Sequence, residues 1–157
     1  MEIGIRGMKP ADYPYLRDFL YEAIFVPEGA APPPREIIDK PELQVYIQDF
    51  GEQPDDCALM AVVDGKPAGA VWTRIMQDYG HLDDKTPSLA IALYPQYRGW
   101  GIGRALMQAM LGMLRAMGYP GVSLSVQRSN YAAEMYRKLG FQTVRQNGEE
   151  DLMLYSF

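Results

Sequence analysis

The sequence predicts an α/β (α+β) domain with a central sheet of about seven strands flanked by about four helices. Strand-like and helix-like segments follow one another in the order strand, two helices, three strands, helix, strand, helix and a closing hairpin. Asp64-Gly65 and Asn147-Gly148 are turn signals that join neighbouring strands. A length of 157 residues suits one domain with its own core, so we expect a single domain over residues 1–157.

The first third of the chain predicts one strand and two helices. Ile3 and Ile5 alternate with polar or small residues, as in a short strand, and Lys9-Pro10-Ala11-Asp12 opens a helix that reaches about Val26. Residues 27–34 include three consecutive prolines and are expected to form a loop. A second helix is predicted over residues 35–50.

The middle of the chain predicts three strands. Residues 58–63 and 68–76 form a hairpin across Asp64-Gly65. After a polar loop over residues 77–87, the run 88–94 is almost continuously apolar, which indicates a strand buried on both faces, and Pro95 ends it.

The last third predicts two helices, a strand between them and a hairpin. Apolar residues recur at helical spacing over residues 101–117, and the strand 122–127 follows. A short helix over 130–139 ends at Gly140, where a left-handed cap is typical. Residues 141–145 then pair with 151–155.

Composition excludes several classes of function. A formal net charge of -5 disfavours a nucleic-acid partner, and a single cysteine, Cys57, leaves no disulfide and no cysteine zinc cluster. We therefore expect no metal. No apolar run has the length of a membrane span, and the first residues lack the apolar core of a signal peptide, so we expect no membrane and a cytoplasmic location.

The segment most informative about chemistry is the glycine-rich turn at residues 95–104, between the apolar strand and the longest helix. Glycines let the main chain approach a ligand and direct several N–H groups at one point, while a helix N-terminus adds positive potential. Arg98 contributes a cation. Together these features predict a diphosphate site, whereas three glycines alone would indicate only a tight connection.

Two other nucleotide-binding patterns do not match. A dinucleotide fingerprint needs Gly-x-Gly-x-x-Gly, and here the spacing is Gly99-x-Gly101-x-Gly103. A P-loop needs Gly-Lys-Ser or Gly-Lys-Thr, and neither tripeptide occurs.

The chain resembles the GNAT (Gcn5-related N-acetyltransferase) family. The family loop Gln/Arg-x-x-Gly-x-Gly/Ala is matched by residues 96–101, and a later signature, Asn-x-x-Ala-x-x-x-Tyr-x-x-x-Gly-Phe, is represented by Asn130, Ala133, Tyr136, Gly140 and Phe141. The resemblance implies a mixed, mostly antiparallel sheet whose fourth and fifth strands splay apart to receive the pantetheine of acetyl-CoA (coenzyme A). It also implies the following cofactor contacts: Ile91, Ala92, Leu93, Gln96, Arg98, Gly99, Trp100, Gly101, Ile102, Gly103, Arg104 and Asn130.

By the same resemblance, Tyr136 is the expected catalytic residue, donating a proton to the departing thiolate. A phenol with a pKa of about 10 stays protonated at neutral pH, and a thiol has a pKa of about 8.5. Tyr136 also fits a packed aromatic on a helical stripe. Asn130 suits an N-cap as well as a cofactor contact, and the two roles are compatible.

The acceptor amine must lose a proton before it attacks, and the sequence leaves the base open. Candidates are Glu22, His81, Asp83 and Asp84, each of which also fits an ordinary solvent-facing role. The walls of the acceptor site are expected from the first helix, the proline loop and residues 77–84, including Tyr21, Phe25 and Tyr79.

The resemblance therefore predicts an N-acetyltransferase that moves an acetyl group from acetyl-CoA to a primary amine of a small metabolite or peptide within a ternary complex. The alternative is a non-catalytic acyl-CoA-binding sensor of the same fold, and a longer acyl donor is a further option. We expect a monomer or a homodimer.

Overall fold

A computed structural model describes all residues, 1–157, and contains one seven-stranded sheet. The strands are β1 (Ile3–Gly7), β2 (Cys57–Val63), β3 (Lys66–Arg74), β4 (Ser88–Leu93), β5 (Gly121–Gln127), β6 (Gln142–Asn147) and β7 (Glu150–Ser156). The α-helices are α1 (Tyr15–Ala23), α2 (Pro41–Gln44), α3 (Ile102–Ala116) and α4 (Ala132–Leu139). None of these helices combines the length and apolar content that crossing a bilayer would need.

The strand order is β1-β2-β3-β4-β5-β7-β6, and every neighbouring pair except β4 and β5 is antiparallel. The predicted mixed, mostly antiparallel sheet is confirmed. Asp64 and Gly65 both have positive φ, of 49° and 81°, so the turn between β2 and β3 has the geometry that favours a right-twisted hairpin.

Side-chain alternation along the strands builds a separate core on each face of the sheet. On one face α3 and α4 pack against residues such as Val71, Leu89 and Leu124. On the other face α1 and residues 37–50 pack against Trp72 and Ala92. We name these the α3 face and the α1 face.

The predicted second helix over 35–50 is wrong as a single element. Residues Arg35–Asp39 form a 3₁₀ turn, Lys40 is extended with ψ of 140°, and Pro41 begins α2, which has only four residues. A residue that precedes proline is disfavoured in the helical region, so the chain cannot run straight through Lys40. The first helix is also shorter than predicted, since a 3₁₀ turn at Pro10–Asp12 precedes α1 and Ile24 is already extended.

Candidate functional site

The glycine-rich turn joins the end of β4 to the start of α3. Pro95–Tyr97 form one 3₁₀ turn, and Gly99 and Gly101 both adopt left-handed backbone with φ of 82°. A Cβ built at either glycine would meet nothing within 4 Å, so this side of the loop is open. The first amides of the 15-residue helix α3 follow directly, and the first turn contains no acidic residue. This is a surface suited to an anion.

The side chains of the loop divide into engaged and free groups. The Arg98 guanidinium donates to the Leu93 carbonyl oxygen at 3.2 Å and lies 3.6 Å from the Glu22 carboxylate, so α1 holds it. Arg104, in the first turn of α3, is exposed. Gln96, which precedes the glycines, is exposed as well. Trp100 is 46% exposed and its ring meets Tyr97 edge-on.

Strands β4 and β5 part immediately after they meet. Their pairing is limited to Ser88 with Ser123, where the Ser123 amide donates to the Pro87 carbonyl oxygen at 3.0 Å. Because the Tyr94 amide bonds to Ala68 on β3, alternation directs the main-chain groups of Ile91 and Leu93 into the gap and those of Ala92 toward β3. The splay between the fourth and fifth strands is therefore present, with its wide end beside the glycine-rich loop.

Tyr136 lies on α4 and is 7% exposed, within the core of the α3 face, where its ring contacts Phe141 at 6.0 Å between centroids. Burial, and to a lesser extent Tyr131, raises the pKa of Tyr136 to about 12. The phenol is thus protonated throughout the neutral range. Asn130 Oδ1 accepts from the Ala132 amide at 3.0 Å, so its side chain satisfies the first amide of α4 from one residue before the N-cap position, which Tyr131 occupies.

The four candidate bases named from the sequence occupy different positions. Glu22 faces Arg98, and His81 Nδ1 lies 2.8 Å from the Met76 carbonyl oxygen. Asp84 is 85% exposed and lies 3.7 Å from His81. Asp83 accepts from the amides of residues 85 and 86, and these hydrogen bonds lower the pKa of its carboxyl.

The predicted acceptor walls are only partly assembled. The Tyr21 hydroxyl donates to the Pro33 carbonyl oxygen at 2.6 Å, which ties α1 to the proline loop. Phe25 follows α1 and is half-buried, whereas Tyr79 is 50% exposed. No three His, Cys, Asp or Glu side chains come close enough together to hold a metal ion.

Sequence reasoning missed Asp78, a carboxylate in the polar loop between β3 and β4. Asp78 Oδ1 accepts from Ser88 Oγ at 2.8 Å, and the Tyr46 hydroxyl is a second hydrogen-bond partner. Burial raises the pKa of Asp78 against the lowering effect of these hydrogen bonds. Nothing in the local pattern distinguishes Asp78 from Asp83 and Asp84, since all three lie in one polar stretch.

The arrangement joins three chemical capacities. The loop offers main-chain N–H groups to an anion, the gap offers unpaired main-chain groups to an amide-bearing chain, and a protonated phenol is buried on the α3 face of the sheet. These are the requirements of acyl transfer from a phosphorylated carrier.

Comparison with known proteins matches residues 20–141 to the model of the acetyltransferase (GNAT) family. The chain belongs to the GNAT family. GNAT relatives include the mycothiol acetyltransferase of Nocardiopsis dassonvillei, 37% identical over 103 residues that make up 63% of this chain and 31% of that protein. The [ribosomal protein bS18]-alanine N-acetyltransferase of Escherichia coli K12 is 33% identical over 99 residues, 57% of this chain and 63% of that protein.

These matches span about a third of the mycothiol enzyme and less than two thirds of the ribosomal-protein enzyme. Among solved GNAT structures, the PaiA N-acetyltransferase of Thermoplasma acidophilum in complex with coenzyme A has a TM-score of 0.73 at 20% identity, with 100% of both chains covered. The ribosomal-protein-S18-alanine N-acetyltransferase of Escherichia coli has a TM-score of 0.64 at 21% identity, covering 98% of this chain and 91% of that chain. These likenesses show that the fold is the GNAT fold.

Proposed function

We propose that this protein transfers the acetyl group of acetyl-CoA to a primary amine of a small metabolite or peptide, by direct attack within a ternary complex. The observation that carries the proposal is the alignment of an open, left-handed glycine loop at the start of α3 with the wide end of the gap between β4 and β5. One continuous sheet with a core on each face supports a single acetyltransferase domain over residues 1–157. The cytoplasm is the proposed location.

The residues present fit coenzyme A. A diphosphate requires close approach to main-chain amides, and the space above Gly99 and Gly101 is free of other atoms within 4 Å of an added Cβ. We assign the diphosphate to the amides of residues 98–104, with exposed Arg104 as the free cation. The main-chain groups of Ile91 and Leu93 would pair with pantetheine amides, and Asn130, Gln96 and Trp100 are proposed as further cofactor contacts. Bound acetyl-CoA would supply a thioester.

In this proposal Tyr136 donates its phenolic hydrogen to the sulfur as the carbon–sulfur bond breaks. A pKa of about 12 keeps the donor protonated at working pH. The same apolar surroundings disfavour a bare thiolate. Burial would therefore raise the pKa of the departing thiol as it raises the pKa of the Tyr136 phenol. An amide of β4 that faces the gap, at Ile91 or Leu93, would polarise the thioester oxygen.

The relatives favour a catalyst over an acyl-CoA sensor, because the proteins matched are named as acetyltransferases. One is named for mycothiol and another for an alanine of ribosomal protein bS18. These names support the general choice of a small-molecule or protein amine as acceptor.

The proposal is tested by release of free thiol from acetyl-CoA with a panel of spermidine, lysine, an aminoglycoside and a peptide that begins with alanine. At least one amine is expected to be turned over. Tyr136→Phe, which keeps the ring and its contact with Phe141, should lower kcat by about 100-fold and leave coenzyme A affinity unchanged.

Tyr131→Phe is the matched control, since Tyr131 is 81% exposed at the start of the same helix and should retain full activity. Coenzyme A binding without turnover of any amine, together with no effect of Tyr136→Phe, would instead support a sensor. Absence of coenzyme A binding would contradict both functions.

A further inference from the structure

Asp78 occupies a defined place at the closed end of the gap between β4 and β5. Its carboxylate is bonded to Ser88, and Ser88 is the residue of β4 that pairs with β5. The loop then passes over β5 on the α1 face at Gly80, whose carbonyl oxygen accepts from Ser123 Oγ at 2.6 Å. Asp78 is therefore bonded to β4, and its loop is bonded to β5, at the point where the two strands diverge.

Gly80 shows how near the carboxylate is to the edge of β5. A Cβ added to Gly80 would lie 3.1 Å from the Ser125 amide nitrogen and 3.3 Å from Asp78 Oδ2, so these two groups flank the same atom position. The Ser123 amide bonds toward β4, and strand alternation directs the Ser125 amide the same way, into the gap. Asp78 thus borders the gap from the α1 face.

Tyr136 approaches from the other side of the sheet. It belongs to the core of the α3 face, together with Leu124, whereas Ser88, Ser123 and Ser125 lie at the alternate positions that point to the α1 face. A thioester in the gap would have Tyr136 as a proton donor on its α3 side and Asp78 as a proton acceptor on its α1 side. This separation is what amine attack on one face of a carbonyl requires, because the amine and the leaving sulfur need opposite proton transfers.

The charged and titratable groups around Asp78 come from several elements. Tyr46, from the segment after α2, hydrogen-bonds to the carboxylate, and burial followed by the charge of Asp78 raises the pKa of this phenol. The charge of Glu150 on β7 also raises the pKa of Tyr46, and the Glu150 carboxylate accepts a hydrogen bond from Ser125 Oγ at 3.3 Å. Burial, followed by the charge of Glu42, raises the pKa of Tyr79. Arg74 of β3 is the cross-strand partner of Ser88, but its guanidinium is bonded to Asp56, and the imidazole of His81 lies three residues further along the same loop as Asp78.

We propose that Asp78 is the general base that takes a proton from the acceptor ammonium group, an inference that rests on the acetyltransferase function proposed above. The free amine then forms the nitrogen–carbon bond, and the carbon–sulfur bond breaks with its electron pair leaving on sulfur. Tyr136 gives sulfur a proton and regains one from solvent, while the second proton lost from nitrogen passes to solvent. The proton held by Asp78 passes to solvent, so one proton is released for each acetyl group transferred.

Burial makes Asp78 a stronger base than an exposed carboxylate, because it raises the pKa of the carboxyl toward that of the amine. Since only the ionised form accepts a proton, activity should fall as pH falls through this pKa. Glu150 is the competing carboxylate on this face: it pairs with Gln127, but its Oε2 accepts from Ser125 Oγ, two residues beyond the closed end, so Glu150→Gln must be compared with Asp78→Asn.

The test compares Asp78→Asn with wild type, using the amine of the panel that is turned over fastest. At neutral pH we expect kcat/KM to fall by about 100-fold with unchanged affinity for coenzyme A. The deficit should shrink to less than about fivefold once the pH exceeds the pKa of the amine itself, because the amine is then already deprotonated. Asp39→Asn is the matched control and should leave the rate unchanged, since Asp39 is 58% exposed and lies outside the proposed site.

Ser88→Ala provides a second variant that keeps the carboxylate. The Ser88 hydrogen bond lowers the pKa of Asp78, so its removal should move the acidic limb of the pH–rate profile to higher pH. An unmoved limb, a deficit in Asp78→Asn that is equal at every pH, or a larger loss in Glu150→Gln would overturn the assignment of Asp78. Failure of wild type to acetylate any amine would instead overturn the acetyltransferase function, and the role of Asp78 with it.

Discussion

The two faces of the sheet are built by different means. The α3 face uses regular elements, and its part in the proposed site depends on main-chain geometry: two left-handed glycines, a helix start and an unpaired strand edge. The α1 face uses one short helix, 3₁₀ turns and prolines, held in place by specific side-chain contacts. The difference indicates that the donor side depends on backbone shape and the acceptor side on individual side chains.

The strongest of those side-chain contacts is made by Arg74 at the end of β3. Its guanidinium bonds both oxygens of Asp56 at 3.0 Å and donates to the carbonyl oxygens of Val45 and Gln48, with both charged side chains at most 5% exposed. Nearby, Trp72 Nε1 donates to the Tyr46 carbonyl oxygen at 3.0 Å. Residues 45–56 are thus attached to the sheet chiefly through β3.

Removal of the Arg74 guanidinium should have the largest effect on stability. We expect Arg74→Ala to lower the free energy of unfolding by about 3–5 kcal/mol, because Asp56 would remain as a buried, unpaired charge. Urea denaturation measures the change, and Arg17→Ala, which breaks an exposed pair with Asp39, should cost less than about 1 kcal/mol. A loss below about 1 kcal/mol in Arg74→Ala would contradict the view that side-chain contacts hold the α1 face.

A substitution in the glycine loop tests whether the donor side of the site depends on main-chain geometry. Gly101→Asp places a carboxylate at the proposed diphosphate site, and Asp tolerates left-handed backbone better than most residues. We expect the Kd for coenzyme A to rise by at least about 100-fold through charge repulsion, with little change in unfolding. Gly101→Asn has the same shape without the charge and should weaken binding much less; equal losses in the two variants would indicate a steric effect instead.

The sequence allowed prediction of the sheet, the loop, α3 and α4, because glycine spacing and hydrophobic alternation determine main-chain geometry. The divergence of β4 from β5 was expected only from the resemblance to the GNAT family. Asp78 could not be predicted, since its inward orientation depends on distant Ser88 and Tyr46. The Arg74–Asp56 pair could not be predicted from the sequence either, because a charged residue at a strand end is ordinarily exposed to solvent. The predicted helix over 35–50 failed at the residue before Pro41, where local sterics outweighed apolar periodicity.

The smallest expected effect concerns the entry to α1. Arg6 bonds Asp12, and this contact lowers the pKa of Asp12 to about 2. A lowered pKa means that the fold favours the ionised carboxyl, so the contribution is complete above the unfolded pKa of about 3.9 and is lost as pH falls toward 2. Because Arg6 is largely exposed, Asp12→Asn should cost less than about 1 kcal/mol, with a difference from wild type that narrows between pH 4 and 2 in urea titrations. A difference independent of pH would contradict this origin.

Hydrogen exchange of backbone amides, with and without coenzyme A, tests most directly whether the main chain of residues 98–104 and of the β4–β5 gap binds the donor. The account predicts slower exchange at Gly99, Gly101 and Gly103 with 3′-phospho-ADP alone, and additional protection at Ile91 and Leu93 only with intact coenzyme A. Protection located elsewhere, such as the groove lined by Gln108, Arg115 and Phe157, with the loop unchanged, would contradict it.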